Sequence, residues 1–303
     1  MNKNLFRTCI GLAVGGALLV TSTIMGMASG PSGYEALKTA VKNSDRVKNA
    51  TFVIEGSLMD NNEELMKLSS TLKVEQDELV SGIVSIDADK IDRDYTFSTK
   101  DKTMIFKQDS SDVYSKIVCT KKENKSNKRH HIKEYENPQM EAICENILDT
   151  LVGDFKNQVT LKNIKDGRKQ ISINLDKNEI PTLCNLILNL KQDEEHTGEC
   201  ETKDKMSKLF GINIKDFEFP KLVNSIQAEE VNVEIIIDKD SIIKEMDLEF
   251  KVSGKDAQNN IHNQELKISF DVSNINSTTA DIIDLKGKQV KEISTKEFEY
   301  NKK

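Results

Sequence analysis

Apolar and polar residues alternate with a period near two through most of the chain, and with a helical period in a few short stretches. Around Gly56, Phe52, Ile54 and Leu58 alternate with polar neighbours. Met66, Leu68, Leu72 and Val74 do the same against Lys67, Ser69, Thr71 and Lys73. Val80, Val84 and Ile86 follow, then Ile91, Tyr95 and Phe97, Met104 and Phe106, and Val113 and Ile117. A period of two places alternate side chains on opposite faces of a strand. Turn-forming clusters separate these runs at Asp60-Asn61-Asn62, from Asp87, and at Asp109-Ser110-Ser111. Six strands joined by short turns form an antiparallel meander with one apolar and one wet face.

The pattern switches to helix in few places. Ser32 and Glu35 form a capping box ahead of Leu37, Ala40 and Val41, which predicts a helix from Gly33 to about Asn43. Asn137-Pro138 opens a second helix with the stripe Met140, Ile143, Cys144, Ile147 and Leu151, stopped at Gly153. A hairpin follows, 159–164 and 171–175 around Lys165-Asp166-Gly167, then a helix over about 178–190. Two short helical pieces are expected at Met206, Leu209 and Phe210 and at Leu222, Val223 and Ile226. The last third returns to strands. Val231, Val233, Ile235 and Ile237 lead into Met246, Leu248, Phe250 and Val252, and then into Leu266, Ile268, Phe270 and Val272. The residues from Asp281 to Leu285 read as strand-like, before a polar tail.

Helices interrupting a long antiparallel sheet predict an α+β fold. Some ten twisted strands tend to curl. The expected architecture is therefore a strongly curved antiparallel sheet, a half-barrel, with helices packed in its concave face and the charged face outside. The lining of such a hollow would be apolar. Phe97, Phe106, Val233, Ile235, Leu248, Phe250, Ile268 and Phe270 are the candidate ligand-binding residues, with Tyr34 and Tyr95 as further aromatic lining.

Composition sets the address. Lys3 and Arg7 precede an uncharged run from Cys9 to Ala28 that ends in small residues. This reads as a secretory signal peptide over 1–28, with an uncleaved anchor as the alternative, followed by one domain over 29–303. Either way the body is expected outside the cytoplasm, secreted or membrane-anchored. The net charge is −7, and removal of Lys3 and Arg7 makes the remainder more acidic. That balance opposes nucleic acid as a partner.

Other signals carry little chemistry. Asp238, Asp240 and Glu249 mimic a calcium loop, but Ile242 and Ile243 stand where an oxygen ligand and a glycine are needed. Ser241 and Lys244 match half of a penicillin-binding motif without its companions. The acidic stretch with Asp193, Glu194, Glu195, His196, Glu199, Cys200 and Glu201 is read as a loop, not a metal site, and His262 as a solvated turn residue. Cys119, Cys144, Cys184 and Cys200 permit two disulfides, although Cys144 and Cys184 lie on apolar stripes and read as core. The one basic cluster is Lys121, Lys122, Lys125, Lys128, Arg129 and Lys133 with His130 and His131. It is a contact surface for an envelope protein or an anionic surface, or a solvated loop. No cofactor motif and no nucleophile with its base is found, so the expectation is a protein that is not an enzyme.

The run from Gly33 to Lys42, the strand from Thr51 to Leu58, the turn at Asp60-Asn61, Ser253-Gly254-Lys255-Asp256-Ala257 and Asn276-Ser277-Thr278-Thr279 carry a resemblance. The chain resembles the LolA-like and LppX-like half-barrel envelope proteins, and among them a group of secreted proteins of low-GC Gram-positive bacteria. The resemblance implies an apolar, lipid-type ligand held in the hollow. It transfers no catalytic residue. Cys9 precedes the apolar run and no cysteine stands directly after it, so the chain lacks a lipidation cysteine and departs from the lipoprotein members. Two functions are thus expected as alternatives: a non-enzymatic binding protein for a hydrophobic ligand, or a structural or interaction module of the cell envelope.

Overall fold

The computed structural model describes residues 33–44, 46–75, 79–89, 91–118, 158–189 and 219–293. Six strands come first after helix α1 (Gly33–Ser44): β1 (Asn49–Asp60), β2 (Glu63–Glu75), β3 (Leu79–Ala88), β4 (Ile91–Lys100), β5 (Thr103–Gln108) and β6 (Val113–Val118). The hairpin β7 (Val159–Asn163) and β8 (Lys169–Asp176) and the helix α2 (Thr182–Asn189) follow. β9 (Asn224–Ile237), β10 (Ile243–Lys255), β11 (Ile261–Ser273) and β12 (Gln289–Ile293) complete the described chain. Asn61-Asn62 and Asp101-Lys102 both sit at positive φ, the two-residue turn whose twist suits a hairpin.

All twelve strands form one open sheet in the order β12-β6-β5-β4-β3-β2-β1-β11-β10-β9-β8-β7. The join between the two halves is the β1–β11 pairing, from Thr51 opposite Ser273 to Asp60 opposite Gln264. Within the described residues the molecule is mostly sheet. The helices expected at 138–153 and 206–210 lie outside the described residues, as do the 1–28 segment, the acidic loop and the basic cluster from Lys121 to Lys133. The helical piece expected at Leu222, Val223 and Ile226 is corrected: Asn224 onward is β9, and 219–223 leads into it without regular secondary structure. Its β-branched residues fit a pleated surface better than a helix.

α1 buries Tyr34, Ala36, Leu37 and Ala40 on the apolar face over β7, β8 and β10. Gly33 allows this approach, because a Cβ there would lie 2.3 Å from the Val159 carbonyl oxygen. At the other end Ser44 Oγ accepts a 2.9 Å hydrogen bond from the Ile243 amide, and Asn43 donates to the Asp240 carbonyl. α2 solves a different problem. β8 stops pairing at Asp176 opposite Glu230, so the earlier residues of β9 have no strand on that side. Asn185 and Asn189, one helical turn apart, accept the amide hydrogens of Ala228 (2.7 Å) and Ile226 (3.0 Å) in its place.

The polar residues after β11 form a strap across the ionic face. Thr278 exchanges backbone hydrogen bonds with the Asn49 side chain and pairs its hydroxyl with Thr51. Ala280 N–H then donates to Glu75, Asp281 N–H to Ser81 Oγ at 2.8 Å, and Ile283 N–H to Ser98 Oγ at 3.2 Å. The strap thus steps over β1, β2, β3 and β4 in order and delivers β12 to the free edge of β6, where it pairs in parallel. The strand expected from Asp281 to Leu285 is part of this extended strap, and the polar tail contains β12. Arriving by a crossover permits the parallel direction, which a tight hairpin forbids.

Ser81 and Ser98 are buried because the strap covers them. Ser98→Ala should leave the Ile283 amide without its acceptor and cost about 1–3 kcal/mol. Urea unfolding measures the loss, and faster amide exchange in β12 locates it.

Candidate functional site

Register decides which side chains share a face. One cross-strand row runs Val159, Ile173, Val233, Leu248, Ile268, Gly56, Leu68, Ile86 and Arg93, from β7 across to β4. The next row holds Ile235, Met246, Phe270 and Ile54, and a third holds Val231, Phe250 and Leu266. On the far half Phe106 lies opposite Phe97, and Phe97 opposite Gly82. All eight candidate lining residues therefore stand on a single face of the sheet.

Their burial differs. Val233, Ile235, Leu248 and Phe270 are buried in the main core with α1, and Phe52 stacks on Phe270 at 5.7 Å between ring centroids. Phe250 and Ile268 are half-buried against the same core. Phe106 is buried and Phe97 half-buried on the β4–β5 side, where Tyr95 and Ile91 form a second, smaller cluster. Phe97 lies over Gly82, whose missing side chain leaves room for the ring. Tyr34 is a core residue of α1. Among the described residues the main contacts of α1 and α2 are with β7, β8, β9 and β10.

A cavity of about 540 Å³ opens on the opposite, ionic face. Val233, Leu248, Ile268 and Gly56 contribute to its floor, and being one row of the apolar face they present only backbone there. It touches β8, β9, β10, β11, β1 and β2. Glu55, Glu64, Glu234 and Glu249 line it together with Lys67 and Lys267. Asp247, also in the wall, is raised above the ordinary carboxylate range by desolvation and by the charge of Asp271.

Lys251 organises the adjoining charges. Its Nζ lies 2.7 Å from Glu230, 3.1 Å from Glu249 and 3.9 Å from Glu265. Hydrogen bonds with Glu265 and Lys251 hold the Glu249 carboxyl down to about 2. Lys251 itself is raised, first by Glu230 and then by Glu249.

His262 corrects the sequence reading. It is a largely covered side chain, 13% exposed, not a solvated turn residue. Nδ1 lies 2.7 Å from Asp60 Oδ2 and Nε2 3.3 Å from Asp256 Oδ2. Asp60 is 202 residues away in sequence, and no local motif announces the pairing. Arg93 was missed too: it ends an apolar row beside Tyr95, where alternation alone marks its position. Asp238 and Ser241 do form a hairpin turn, with Asp238 accepting the Asp240 and Ile242 amides. Cys184 falls in α2, and Cys119, Cys144 and Cys200 lie outside the described residues.

No family model and no curated protein matches the chain. Among solved structures, a LolA superfamily protein from Nitrosomonas europaea aligns at 8% identity, covering 85% of this chain and 97% of that one. Its TM-score of 0.21 is too low to carry an argument about fold or activity.

Lys251→Met should remove the hub of the carboxylate network and cost about 1 kcal/mol, as partly exposed ion pairs do. The lowered Glu249 contributes stability that is present above its ordinary value and lost as pH falls toward 2. Thermal unfolding between pH 2 and 6 should therefore fall more steeply with acid in the native protein than in the variant.

Proposed function

We propose that the protein is a non-enzymatic extracytoplasmic binding protein whose curved sheet acts as a half-barrel, with helices in the concave face, for a hydrophobic or lipid ligand. One observation carries this reading. The apolar face continues across both halves of the sheet, and among the described residues the main helix contacts fall on β7, β8, β9 and β10. Leu68, Val84 and Ile86 continue the rows of Ile268 and Phe270 beyond those strands and stay half-buried. Burial of a ligand's chain there would contribute ~0.8 kcal/mol per CH₂, less the cost of ordering it. The chemistry requires no nucleophile. The single described histidine directs both ring nitrogens at carboxylates, leaving neither to act as a base on substrate.

A second reading has its own support. The β7–β10 half of the face is filled by the protein's own side chains, including Val233, Ile235 and Phe270. This is how an envelope structural or interaction module without a small ligand would be built.

Native mass spectrometry of protein passed through a lipid extract is expected to show a bound acyl lipid. Leu68→Asp and Ile86→Asp should each reduce its recovery at least ~10-fold, because a carboxylate on this face must be desolvated with no partner. Apo mass alone in the native protein would overturn the lipid reading in favour of the second.

A further inference from the structure

At the rim of the sheet two turns meet. Asp60 ends β1 ahead of the β1–β2 turn, while Asp256 and His262 flank the β10–β11 turn. The turns touch through backbone and amide groups as well: Asn61 N–H donates to the Asn263 carbonyl at 2.9 Å, and Asn61 Oδ1 accepts the Asn263 amide at 3.1 Å. Asp256 is itself fixed, accepting the Gln258 and Asn260 amides on Oδ1. His262 lies between the two carboxylates, and only imidazolium can donate to both, since neutral imidazole carries a single N–H.

We propose that protonated His262 is a pH-responsive clamp holding the β1–β2 turn against the β10–β11 turn. Asp60 makes the clamp consequential. Its side chain is 9% exposed, and Oδ1 is buried with no hydrogen-bond partner. Oδ2 accepts from His262 Nδ1 at 2.7 Å and from the Asn61 side-chain amide at 3.4 Å, so loss of the imidazolium charge leaves this covered carboxylate beside neutral donors only. Glu63 and Glu64 on β2, Lys221 on the 219–223 segment, Lys255 on β10 and Glu265 on β11 are the other charged groups of the surrounding elements. The groups that hydrogen-bond and act electrostatically on the ring are Asp60 and Asp256. Asp60 foremost raises the imidazole above its ordinary value. The sign follows: the clamp is fully closed below the ordinary imidazole value of about 6.5 and opens as pH rises through the higher folded value. The three groups are not arranged to hold a metal ion.

The test uses the full chain. NMR titration of the imidazoles, with His262→Gln to assign the signal, should place the His262 midpoint above 6.5. Asp60→Asn should lower that midpoint by about one unit, and Asp256→Asn serves if the first variant does not fold. Exchange of the Asn61 amide, corrected for intrinsic rate, should rise at least ~10-fold across the midpoint in the native protein. In His262→Gln it should be fast and independent of pH. A His262 midpoint at or below 6.5, or equal corrected exchange on both sides of it, would overturn the proposal.

Discussion

Everything in this molecule depends on β1 lying beside β11. The ten register pairs from Thr51–Ser273 to Asp60–Gln264 weld an N-terminal meander to a C-terminal one. Because side chains alternate with a period of two, this register also aligns the apolar rows of both halves on one face. A slip of β1 by one residue would turn Phe52 and Ile54 outward and bring Thr51 and Val53 onto the face that Phe270 and Val272 share. Closing a loop of more than 200 residues costs entropy that local contacts cannot offset. The Phe52–Phe270 stack, deep in the core at this seam, is where that cost is met.

The two faces then take different covers. On the apolar side α1 and α2 are held by polar side chains placed at backbone gaps: Ser44 at the start of β10, Asn185 and Asn189 along β9. On the ionic side a polar strap is held by hydroxyl and carboxylate acceptors on the strands beneath. Ser81 and Ser98 belong to the outward-facing set in their strands, yet both are buried. The functional reading rests on the first face, and the mechanical integrity of β3–β6 on the second.

The strands were legible because alternation is a strictly local signal. Met246–Val252 and Leu266–Val272 read as strands, and the structure places them in β10 and β11. The Lys165-Asp166-Gly167 turn was equally clear, with Asp166 and Gly167 both at positive φ. β12 was not legible. In Gln289–Ile293 the two apolar residues, Val290 and Ile293, do not alternate, and the segment becomes a strand because the strap carries it to the β6 edge. The 219–223 segment was misread because a short apolar cluster fits either period. The Asp60–His262–Asp256 arrangement was illegible for another reason: it joins two turns brought together by long-range register, and nothing within either turn predicts the other. For the candidate lining residues, sequence identified the face they share but not how far each is covered, since cover depends on where the helices dock.

Among the described residues the sheet has two marginal strands, β7 on one side and β12 on the other. β12 bears Lys291 and Glu292, the latter already paired with Lys116. Charge on a marginal strand is how natural sheets discourage stacking into fibres. The late-arriving parallel strand thus has a protective role besides its structural one: it covers the β6 edge, which includes the exposed residues Val113 and Val118, with a less adhesive border.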